Sequence, residues 1–126
     1  MQGECDLLFV YGSLLSSSSH PMARQLAADA TVLGQGRIRG DRYRIDWYTG
    51  LVPSELAATV VTGEVYRLHS PDTLLPELDA YEEAEAWRGT DAEFRRELLP
   101  VELVSECNLR CWVYSYNRSV AGLERC

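Results

Sequence analysis

The stretch Leu7-Leu8-Phe9-Val10-Tyr11-Gly12-Ser13-Leu14 decides how the rest of the chain is read. Five large apolar residues run without a break into Gly-Ser, the pattern of a buried strand delivering a tight turn to the end of a sheet. Two readings of that turn are open on these residues alone. It is a plain connection, or it is a site in which consecutive N–H groups form a concavity for an oxyanion or carboxylate, with Gly12 permitting positive φ or close backbone approach.

Outward from this stretch, the length of 126 residues predicts a single domain over 1–126, enough for one core. The composition, 46% hydrophobic and 25% charged, is that of a soluble globular protein with no apolar run long enough for a membrane span. Acids stand near the start where a secretory leader would carry bases, so the expected location is cytoplasmic. The net charge of −7 arises from 19 acids against 12 bases, all of them arginine. That balance argues against nucleic acid and anionic membrane as partners, since both need clustered basic surface. The lack of lysine excludes a lysine Schiff base or lysine general base. Cys5, Cys107, Cys111 and Cys126 lack zinc-site spacing, so no metal is expected. Cys107 and Cys111 flank Asn108-Leu109-Arg110, read as a hairpin tip, where a cross-strand disulfide is geometrically open; free thiols are the expectation in the cytoplasm.

Along the chain, serines, Pro21 and an alanine-rich run predict a short helix ending near Asp29, with His20 left outside any site. From Ala30 to Ile45 the pattern predicts strands broken at Gly34, Gly36 and Gly40, as a strongly curved sheet or small barrel would need. Trp47 to Pro53 reads as a loop whose aromatics stand behind a pocket or pack as core. Thr59 to Leu68 is a clear strand. A helix follows over Leu74 to Glu83, with Thr73 as its effective cap because Pro76 is tolerable only in a first turn. Leu74, Leu78 and Glu82 share one stripe, flanked by Leu75 and Tyr81, while Glu77, Asp79 and Glu83 fall off it, where solvated carboxylates are expected. On the apolar stripe Glu82 is either a desolvated general base with raised pKa or the end of the stripe, snorkelling to water. Phe94 to Val104 and Leu109 to Asn117 pair as strands, the second placing Trp112, Tyr114 and Tyr116 on one face and Val113 and Ser115 on the other. Arg118 to Cys126 is a tail of little periodicity.

Phe9-Val10-Tyr11-Gly12-Ser13-Leu14, Gly63-Glu64-Val65-Tyr66, Leu78-Asp79-Ala80-Tyr81-Glu82, Phe94-Arg95-Arg96 and Trp112 through Arg118 stand in an order and spacing that resembles the gamma-glutamylcyclotransferase-like family, in its short AIG2-like branch. The resemblance implies an α+β fold, a small mixed β-barrel with two or more short helices. It implies an enzyme that releases 5-oxoproline and a free amine from a gamma-glutamyl amino acid, amine or acylated small molecule, by attack of the substrate's α-amino group on its own γ-carbonyl. No cofactor is needed. By correspondence Glu82 is base and acid, and Tyr11, Gly12, Ser13 and Leu14 hold the glutamyl moiety. Tyr116 is a further pocket residue, and Arg96 is a structural ion-pair partner rather than a catalyst. The chain differs from many relatives in having Glu83 after the base, Thr49 in place of proline and Phe94 in place of tyrosine. The alternative from another class is a noncatalytic small-ligand-binding domain of the same fold.

Overall fold

The computed structural model describes residues 6–11, 21–45, 49–54, 56, 58–81, 92, 94–103 and 108–125. β1 (Leu7–Val10) runs through the middle of the sheet, antiparallel to β4 (Val60–Leu68) and parallel to β6 (Asn108–Tyr116). Alternation along β1 sends Leu8 and Val10 to one face and Phe9 to the other, and all three are at most 3% exposed. A strand covered on both faces explains the unbroken apolar run.

β2 (Ala30–Arg44) pairs with β4 along most of its length, and β5 (Phe94–Leu103) forms a hairpin with β6. The ring closes where β2 meets β5, with Gly36 opposite Leu103 and Arg37 opposite Glu102. The result is a closed mixed barrel of five strands, β2, β4, β1, β6 and β5, as expected from the resemblance. β3 (Thr49–Pro53) and the two-residue β7 (Glu124–Arg125) both pair with the distal part of β2. The barrel interior holds Phe9, Ile38, Leu51, Val61, Val65, Val101, Cys111 and Val113. Outside the wall, α1 (Pro21–Asp29) and α2 (Pro71–Tyr81) cover a second cluster that includes Leu8, Val10, Leu26, Tyr66, Leu74, Leu78 and Tyr114.

Four expectations change. β2 is one continuous strand of 15 residues, so its glycines bend it without breaking it. A bulge falls between Val32 and Gly34, where Gly34 takes φ +146°, a region L side chains rarely adopt. Gly36 and Gly63 face each other across β2 and β4, and a Cβ on Gly36 would sit 2.8 Å from Val65 Cγ2 and 2.9 Å from Val101 Cγ1. The Phe9 ring lies against both glycines and fills the space their side chains would take. Second, Thr49 to Pro53 is a strand rather than a loop, because β2 runs on past the barrel and offers it an edge; Trp47 and Tyr48 lie outside the described residues.

Third, α2 begins at Pro71, with the Ser70 carbonyl accepting from the amides of Thr73 (3.1 Å) and Leu74 (3.0 Å). Pro71 at the first helical position lacks only an N–H that would have no helical partner there. Pro76 is therefore in the second turn and removes the rung to the carbonyl of Asp72, an exposed residue. Leu74, Leu75 and Leu78 are buried, as the stripe predicts. Fourth, Asn108, Leu109 and Arg110 belong to β6 rather than to a hairpin tip, and Cys111 lies opposite Leu99 inside the barrel. Cys5, Cys107 and Cys126 lie outside the described residues. The short helix predicted to end near Asp29 is α1. No helix of the described residues is long and apolar enough to cross a membrane.

Candidate active site

Of the residues assigned to the site from sequence, Tyr11 and Tyr116 are described; Gly12, Ser13, Leu14 and Glu82 lie outside the described residues. Tyr11 directly follows β1 and precedes Gly12, and Tyr81 closes α2 one residue before Glu82.

The Tyr11 ring follows Phe9 onto the interior side of the wall, with ring centroids 6.3 Å apart. Its hydroxyl donates to the Tyr114 carbonyl at 2.6 Å and accepts from the Leu51 amide at 2.9 Å. A phenol has one O–H to give, and here it is committed to backbone. Tyr11 thus secures the end of β1 to β6 and β3 at once. Tyr116 occupies the other face, packed against the cluster under the helices. It lies opposite Phe94, whose ring meets it edge-on at 5.6 Å and 72°. A Cβ on Gly50 would come within 2.9 Å of Tyr116 Cβ, so β3 packs closely over this end of β6. The two tyrosines therefore line opposite sides of the wall.

The main polar assembly on the helix side centres on Asp79. Arg96 donates to it through Nε (2.8 Å, to Oδ1) and Nη2 (3.2 Å, to Oδ2), a bidentate fork, and the Tyr114 hydroxyl donates to Oδ1 at 2.7 Å. The pair is enclosed, with 15% of the Asp79 and 23% of the Arg96 side chain exposed. Arg96 also lies over the Trp112 ring, 4.3 Å from its centroid. Arg96 forms the ion pair expected of it. The solvated carboxylate expected of Asp79 is not found: it stands four residues after the buried Leu75 and so shares that flank of the helix. The i, i+4 relation to Leu75 was the signal available in the sequence; what Asp79 meets across the gap was not. Glu77 is on the open side and accepts from Gln25 at 3.0 Å.

On the interior side, Ser115 is 1% exposed and donates to the Glu97 carboxylate, which Arg95 also reaches at 3.3 Å. Ser115 and Val113 do share the face that alternation assigns them, opposite Trp112, Tyr114 and Tyr116.

The sequence model of the family described as gamma-glutamyl cyclotransferase, AIG2-like, matches residues 8–125. Among solved structures, YkqA from Bacillus subtilis superimposes with a TM-score of 0.69 at 20% identity, over 92% of this chain and 37% of its own. The chain thus spans little more than a third of that protein. An AIG2-like protein from Mus musculus gives 0.68 at 20% identity over 90% of this chain and 78% of its own. The protein ytfP from Escherichia coli gives 0.59 at 32% identity over 95% and 90%. No curated protein matches the chain significantly. A closed five-stranded mixed barrel with two helices on one side, matched over nearly its whole length, places the chain in the AIG2-like gamma-glutamyl cyclotransferase family.

Proposed function

We propose that the protein is a gamma-glutamyl cyclotransferase acting in the cytoplasm on a small gamma-glutamyl amine, amino acid or acylated compound. The observation that carries this reading is the family match over residues 8–125, which spans residues 12–14 and Glu82 in one chain.

In this reading the substrate supplies its own nucleophile. Its α-nitrogen forms a bond to the γ-carbonyl carbon, the bond from that carbon to the departing nitrogen breaks, and 5-oxoproline and a free amine result. The α-ammonium loses two protons in becoming the lactam N–H and the departing nitrogen gains two in leaving as an ammonium ion; Glu82 takes and returns these protons in turn, so none is gained or lost by the protein overall. Gly12, Ser13 and Leu14, led by Tyr11, hold the glutamyl group in the folded conformer that cyclises, and N–H donors in the turn stabilise the developing oxyanion. Tyr116 lines the pocket. The chemistry requires no cofactor and no metal. Support for the division of labour comes from the anchoring of Tyr11 by two hydrogen bonds and of α2 through Asp79, both elements that lead directly into the assigned residues.

The test is incubation of purified protein with a panel of gamma-glutamyl amino acids and amines, with 5-oxoproline as the readout and Glu82→Gln as control. Product from at least one compound, with kcat reduced about 100-fold or more in Glu82→Gln, is expected. No product from any member would favour a noncatalytic ligand-binding domain, and full activity in Glu82→Gln would remove Glu82 from the mechanism.

A further inference from the structure

Tyr114 bonds to both elements that lead into the assigned site. Its side-chain hydroxyl donates to Asp79 in the last turn of α2, three residues before Glu82, and its backbone carbonyl accepts from Tyr11, one residue before Gly12. One residue of a central barrel strand therefore meets the end of the helix through its side chain and the end of β1 through its main chain. The line continues on both sides, to the Arg96 fork beyond Asp79 and to the Leu51 amide beyond Tyr11.

Two features make the helix end depend on this tie. Pro76 removes a rung from the middle of α2, so fewer backbone bonds secure its second half. The tie is also charge-assisted and enclosed, the setting in which a hydrogen bond is strongest and its loss most felt.

We propose that Tyr114 is a positioning residue that sets the end of α2 relative to the end of β1, and thereby the proton-transferring carboxylate relative to the turn that holds the glutamyl group; this rests on the reading of Glu82 and the turn given above. Asp79 is its partner on the helix, and Arg96 fixes the orientation of the Asp79 carboxylate. Cyclisation is sensitive to such placement because a small error between base and reacting nitrogen lowers kcat without weakening substrate binding.

The test compares Tyr114→Phe, Asp79→Asn and Asp79→Ala with the wild type and with Ile38→Val, a change in the barrel interior on the other face of the wall from the cluster that holds Tyr114. Tyr114→Phe should lower kcat about tenfold with KM within twofold, and α2 amides from Glu77 to Tyr81 should exchange with deuterium several-fold faster. Asp79→Asn keeps a carbonyl to accept from the Tyr114 hydroxyl and should fall between wild type and Asp79→Ala in kcat. Ile38→Val should lower the melting temperature with kcat and α2 exchange unchanged, which separates positioning from general loss of stability. A Tyr114→Phe kcat within twofold of wild type, or unchanged α2 exchange, would overturn the proposal. Absence of 5-oxoproline from wild-type protein would instead overturn the cyclotransferase reading, and exchange alone would still decide whether the tie holds the helix.

Discussion

At the scale of single residues, two kinds of position matter: those where a polar atom has a fixed partner and those where a side chain has no room. The Tyr11 hydroxyl serves two backbone groups, so Tyr11→Phe leaves the Tyr114 carbonyl and the Leu51 amide each short of a partner. A loss of about 1–3 kcal/mol is expected in urea unfolding, on top of any effect on substrate binding. Gly36 and Gly63 lie against Phe9, Val65 and the β1 backbone, and each Cβ added there would overlap its neighbours. Gly36→Ala meets side chains that can shift and should cost about 1–2 kcal/mol; Gly63→Ala meets the Val10 carbonyl and should cost about 3 kcal/mol. Equal unfolding midpoints for the two variants would count against this account. The glycines were visible in the sequence as signs of curvature, but which of them admits a ring and which relieves a bulge depends on what lies opposite.

At the scale of elements, α2 gives the clearest case. Its buried stripe follows from spacing, since Leu74 and Leu78 are one turn apart and Leu75 flanks them. Its start does not follow so simply. Sequence rules disfavour Pro76 inside a helix, yet helix–barrel packing of three leucines outweighs one missing rung, the one to Asp72, an exposed residue. Pro76→Ala restores that rung at an exposed position and should raise stability by about 1 kcal/mol, measured as a higher urea midpoint; a lower midpoint would mean that proline's restriction of the unfolded chain matters more. β3 teaches the same lesson from the other side. Thr49 to Pro53 has a turn-like composition, and it is extended because β2 supplies an edge across five paired positions.

At the scale of the whole molecule, stability rests on the barrel interior and on closure between β2 and β5. The two contributions at the seam differ in kind. Arg37 and Glu102 form an ion pair at 2.7 Å, but their side chains are 48% and 53% exposed, so Glu102→Gln should change stability by less than about 1 kcal/mol. Val101, one residue away, is 1% exposed, and Val101→Ala should cost about 2 kcal/mol. Thermal melts of the two variants test this ranking, and a larger loss for Glu102→Gln would reverse it. By itself the sequence determined the buried β1 strand, both helices, the pairing of β5 with β6 and the faces of β6, because apolar periodicity and local turn chemistry act over short spans. Only the tertiary structure decided that β2 runs unbroken, that Asp79 is enclosed, and that Tyr114 joins α2 to β1. The last two depend on partners 17, 35 and 103 residues distant in the chain, which the packing of α2 on the barrel and the pairing of β1 with β6 bring together and no local pattern encodes.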